Sequence, residues 1–99
     1  MSYSQSPYFY IANLSPELGR MRTFRARGNA TEFTTSQQRT LSIIDSILQS
    51  TIGEGGKKEF ALIRALLENA NSLDDDLFIS LESYCQPFAE TFLREQGVR

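Results

Sequence analysis

Between Leu41 and Ile52 the apolar residues Leu41, Ile43, Ile44, Ile47, Leu48 and Ile52, projected at 100° per residue, gather on about half of a helical circumference. Ser42, Asp45, Ser46, Gln49 and Ser50 occupy the other half. That period commits this part of the chain to helix. Thr34 and Thr35 are each followed three residues later by glutamine, Gln37 and Gln38, the spacing of a capping box. Gly53, with Gly55 and Gly56 behind it, supplies the kind of residue that ends a helix. The spacing predicts a first helix over about 36–52.

The next helix is expected over about 57–70, and its apolar residues run almost all the way round: Phe60, Ala61, Leu62, Ile63, Ala65, Leu66, Leu67 and Ala70. Only Lys57, Arg64, Glu68 and Asn71 form a polar stripe. So narrow a wet side calls for cover from more than one neighbour. The helix is therefore expected at the centre of the domain, wrapped by the other helices or by a second subunit.

Ser72-Leu73-Asp74-Asp75 carries another capping signature, and Asp74, Asp75 and Asp76 place negative charge at the positive end of a helix dipole. A third helix is expected over about 73–95. Leu77, Phe78, Leu81, Tyr84, Cys85, Phe88, Ala89 and Phe92 then share one arc, which survives Pro87. The proline is expected to kink the helix rather than end it, and Gly97 suits its terminus.

Residues 1–34 read differently. Tyr8-Phe9-Tyr10-Ile11 is rich in strand formers, Ser15-Pro16-Glu17-Leu18-Gly19 reads as a turn or as a short helical turn with Pro16 at its first position, and Arg20 to Arg27 reads as a return strand closed by Gly28-Asn29. The arginines change parity between Arg22 and Arg25, which a bulge or an irregular arm would accommodate. The expected fold is thus mainly α: a small three-helix, bundle-like domain over residues 35–99, its third helix kinked at Pro87, with an N-terminal extended arm or β-hairpin over residues 1–34.

Chemistry is constrained by what is missing. A chain of 99 residues has room for one core. It contains no histidine, so the commonest general base and metal ligand are both lacking. Its single cysteine, Cys85, can form neither an internal disulfide nor a thiolate cluster. Gly53-Glu54-Gly55-Gly56-Lys57-Lys58 has Lys58 where a phosphate-binding loop needs serine or threonine, and Thr51 where it needs glycine. The run Asp74-Asp75-Asp76 lacks the alternation of a calcium loop. No metal, cofactor or enzymatic activity is expected. No apolar segment is long enough to span a membrane, and the N-terminal residues lack the features of a secretory signal, so a cytoplasmic location is expected.

Charge is uneven. Residues 1–39 carry Arg20, Arg22, Arg25, Arg27 and Arg39 against Glu17 and Glu32, a balance of +3, whereas residues 40–99 stand at −5. Such asymmetry marks a basic segment that meets an acidic partner or lies on its own acidic body. Aromatics and arginines concentrate binding energy at interfaces. The expected contacts are therefore Tyr8, Phe9, Tyr10, Arg20, Arg22, Phe24, Arg25 and Arg27.

The function expected is a non-enzymatic protein–protein interaction or regulatory module that binds a protein partner or itself as a homodimer. The alternative is a small nucleic-acid-binding regulator that uses the Arg20–Arg27 segment on phosphates. The serines Ser42, Ser46 and Ser50 add a further feature, a stripe of small residues along the polar side of the first helix.

Overall fold

The computed structural model describes the backbone of residues 7–95 and the side chains of residues 7–87. Four helices follow one another: α1 (Pro7–Ala26), α2 (Ala30–Leu48), α3 (Glu54–Glu68) and α4 (Asp75–Glu95), with a 3-10 turn at Ala70–Ser72 between the last two. The chain is mainly helical, and the described residues contain no strand.

Within the segment expected as an arm or hairpin, Pro7–Ala26 is a helix, and residues 1–6 lie outside the described residues. Ile11, Leu14, Leu18 and Met21, spaced by three, four and three residues, line one side of α1 and are wholly buried. α1 packs against both α2 and α4. Burial on this scale overrides the strand preference of Tyr8-Phe9-Tyr10, since about 1.5–3 kcal/mol accompanies each large apolar side chain removed from water. Pro16 is tolerated because it lies on the exposed side of α1, where water can serve the carbonyl its missing N–H leaves unpaired.

Gly28-Asn29 closes no hairpin. Gly28, at φ +70°, accepts the left-handed conformation that favours glycine. Its N–H donates to the Arg25 carbonyl (3.1 Å), and the Asn29 N–H donates to the Phe24 carbonyl (2.9 Å). These bonds make the Schellman pair that ends α1. The Asn29 side chain then accepts from the Glu32 N–H at 3.2 Å and caps α2. Two residues thus end one helix and start the next.

α2 therefore begins at Ala30 rather than near residue 36, and the 34/35 boundary lies inside it. Thr35 is no cap; its hydroxyl donates to the Thr31 carbonyl at 3.1 Å. Gln37 reaches across to the end of α3, donating to the carbonyls of Leu67 (2.8 Å) and Glu68 (3.3 Å). α2 ends at Leu48, leaving Ile52 in the connection. A Cβ on Gly56 would stand 2.6 Å from Ile52 side-chain atoms, so glycine permits that close approach.

α3 lies at one edge instead of the centre. Phe60, Ile63 and Leu67 are buried, but Ala61, Leu62 and Ala65 are exposed. The central position belongs to α1, which the hairpin reading had left out of the core. α4 is capped by Asp74, whose carboxylate accepts from the Leu77 N–H at 2.8 Å. It runs on through Pro87. Phe78, Leu81 and Cys85 are buried, with Leu77 and Tyr84 half-buried on the same arc. The side chains of Phe88, Ala89 and Phe92, and all of Gly97, lie outside the described residues.

Candidate functional site

The residues expected to bind a partner lie on or just beyond α1, and the helix divides them. Arg22 turns toward α4, its Nε donating to Glu82 Oε2 at 2.8 Å and its Nη2 to Oε1 at 3.3 Å. This two-point bond with Glu82 holds the guanidinium more firmly protonated than usual. Arg25 is three residues further along the same flank. Its Nη1 donates to the carbonyls of Ala70 (2.8 Å) and Leu73, and its Nη2 to Asp75 Oδ1 at 2.8 Å. Phe24 is half-buried against the core. These three residues face their own fold.

The others stay closer to the surface. Tyr8 is half-buried beside a cleft shared with Pro7, Ile11, Thr51, Ile52 and Gly53. Phe9 and Tyr10 meet edge to face, their centroids 5.4 Å apart, in a groove between α1 and α2. Arg20 lines the same groove and pairs with Glu17 at 3.0 Å. Arg27 is exposed and makes no ion pair among the described residues.

Among the described residues the most exposed large apolar side chain is Leu62, at 64% exposure on α3; Ile79, on the outer side of α4, follows at 45%. Around Leu62, the helix period brings Lys58, Ala61, Ala65 and Asn69 to one outward face. All are exposed, and half-buried Leu66 borders them. The face continues into an apolar groove of about 280 Å³ toward α4, lined by Glu59, Leu62, Ile63, Leu66, Ser80, Leu81 and Tyr84.

One polar contact closes the floor of that groove. The Tyr84 hydroxyl donates to the Glu59 carboxylate. Burial, reinforced by this bond, pushes the phenol up to about 12. Burial also pushes the neighbouring Cys85 thiol up to about 12, which keeps it protonated and unreactive at neutral pH. On the opposite flank of α3, Arg64 Nε donates to Asp45 Oδ1 on α2 at 2.7 Å, and its Nη1 to Glu68 at 2.9 Å. The hydrogen bond from Arg64 holds the Asp45 carboxyl below its usual range.

The all-round apolar pattern of residues 57–70 was the visible signal for this surface. α2 and α4 cover only part of it, and the remainder is the face centred on Leu62. No helix among the described residues is long and apolar enough to cross a membrane. No protein-family model, curated protein or solved structure matches the chain.

Proposed function

We propose that the protein is a non-enzymatic interaction module that self-associates through the outward face of α3. The observation that carries this reading is the exposed row Ala61, Leu62 and Ala65 beside half-buried Leu66. A second copy is the occupant that the row itself favours. In an antiparallel pair of α3 helices, with the two-fold axis midway between Leu62 and Ala65, Leu62 stands opposite the second copy's Ala65. Large faces small at the centre of the contact, the condition for close helix packing.

Charge supports the same register. Lys58, near the start of α3, comes alongside Glu68 at the end of the second copy's α3, where the helix dipole also favours a cation. A single helix face falls short of the about 800 Å² per partner of a standard interface. The dimer is therefore expected to be weak, with a Kd of roughly 10–100 μM.

Sedimentation equilibrium from low micromolar to about 0.5 mM brackets that range. Concentration-dependent dimerisation, abolished by Leu62→Glu with unchanged helicity, is the expected result. Lys58→Glu should weaken the dimer and Lys58→Glu with Glu68→Lys restore it. A chain that remains monomeric throughout, or a dimer indifferent to Leu62→Glu, overturns the proposal.

The nucleic-acid reading rests on Arg20 and Arg27, because Arg22 and Arg25 are engaged within the fold. Salt-sensitive binding to nucleic acid, lost on replacing Arg20 and Arg27 with alanine, would favour it over self-association.

A further inference from the structure

The groove between α1 and α2 lies away from the α3 face and encloses about 380 Å³, within the lower range of small-molecule sites. Its walls are Phe9, Tyr10 and Pro16 on α1 and Ile43 on α2, with Ser42 and Ser46 contributing the serine stripe noted in the sequence. Glu17 also lines it, although the residue is only 7% exposed. One carboxylate oxygen, Oε2, is 3.0 Å from Arg20 Nη1 and 4.0 Å from Arg39 Nη1. The other, Oε1, is buried with no hydrogen-bond partner.

A buried carboxylate oxygen without a donor is costly, and a donor brought in by a ligand recovers that loss. Arg20 and Arg39 already offset the charge of Glu17, so an added ammonium would meet net positive charge. A neutral donor meets no such repulsion. The surrounding rings and aliphatic side chains call for a flat apolar body.

We infer that this groove is a binding site for a neutral aromatic ring carrying one N–H or O–H donor, of the indole or phenol kind, with the donor directed to the Glu17 carboxylate. Serine at positions 42 and 46 leaves the space the ring occupies. The inference stands on other residues than the α3 contact and survives its failure.

Indole and 1-methylindole, which keeps the ring but lacks the donor, are the probes. The chain has no tryptophan, so indole fluorescence is read against a dark background, and amide shifts in 15N-labelled protein locate the site. Saturable indole binding is expected, with shifts confined to residues 9–20 and 42–46 and at least tenfold weaker binding of 1-methylindole. Ser46→Phe, which fills the groove, should abolish binding while circular dichroism stays unchanged. Ser42→Leu provides a second block if Ser46→Phe disturbs folding. A tryptophan-containing peptide that outcompetes free indole would assign the ring to a partner chain, whereas preference for free indole would assign it to a small molecule. Equal affinity for the two probes, shifts elsewhere, or no saturable binding overturns the inference.

Discussion

The guanidinium carbon of Arg25 stands 4.6 Å from the centroid of the Phe78 ring. The same side chain bonds to the carbonyls of Ala70 and Leu73 and to Asp75. One residue of α1 thereby ties down the α3–α4 connection: it bonds to the Leu73 carbonyl, adds a second donor to the Ala70 carbonyl that already accepts from the Leu73 N–H, and covers the first buried aromatic of α4. Arg25→Ala is expected to lower stability by about 2–3 kcal/mol, combining charged hydrogen bonds with a cation–π contact. The melting temperature should fall by roughly 10–20 °C for a chain of this size. Arg25→Lys should recover less than half, because an ammonium cannot reproduce the planar fork. Thermal melts followed by circular dichroism, with Arg27→Ala as the near-neutral control, check both.

Gly28 and Asn29 carry the reversal between α1 and α2. Gly28→Ala is expected to cost about 1 kcal/mol, and purely through the backbone, since an added Cβ meets nothing within 4 Å. Asn29→Ala should cost about 1 kcal/mol through loss of the cap. Urea titrations of the two variants test this, and Gly28→Asn should be the mildest change at its position.

Ser36 is 1% exposed and its hydroxyl has no hydrogen-bond partner. Ser36→Ala removes an unsatisfied group and installs a better helix former. It should raise stability by about 1 kcal/mol, read as a higher urea midpoint. An unchanged or lowered midpoint would refute this account of the site.

Two groups are expected to make the fold sensitive to alkali. Cys85 and Tyr84 are both held up to about 12 in the fold, from ordinary values of 9.0 and 10.0. Their contribution is complete below about pH 9 and is lost as pH rises toward 12, because the unfolded chain releases these protons first. Cys85→Ala and Tyr84→Phe should each flatten that decline between pH 9 and 11 in urea titrations. At neutral pH a thiol reagent should modify Cys85 only as fast as the chain opens.

Asp45 acts at the opposite end. Its carboxyl is lowered from 3.8 chiefly by the hydrogen bond from Arg64, so its contribution is present above about pH 4 and disappears as pH falls through the depressed value. Asp45→Asn should flatten the acid limb of the stability curve in that window, and Arg64→Gln should do the same. Both effects should shrink in high salt, because the pair is partly exposed.

The helical period of Leu41 to Leu48 and the capping aspartate Asp74 before α4 were legible without coordinates, because amphipathicity and capping are local. So was the continuation through Pro87, since Phe88 and Phe92, beyond the proline, keep in the sequence the helical register of Leu77 and Leu81. The two apolar sides of α3 were equally visible. Local signals also existed for Gly28-Asn29, where Asn29 precedes Glu32 by three residues, the spacing of a capping box. They were outweighed by the strand-forming aromatics upstream.

What the sequence by itself determined is a helical chain with more apolar surface on residues 57–70 than two neighbours can cover. It also determined a chemistry without histidine, reached through packing and arginine. Only the tertiary structure decided that Pro7–Ala26 is a helix at the centre, because its four buried apolar residues gain their stability from α2 and α4. The parity change between Arg22 and Arg25, awkward in a strand, is the ordinary spacing of neighbours on one helix flank. Their partners, Glu82 and Asp75, lie some 50 to 60 residues further along the chain. No local pattern carries such a pairing. Which side of α3 is left uncovered was settled the same way, by the α2 and α4 residues that meet its other sides.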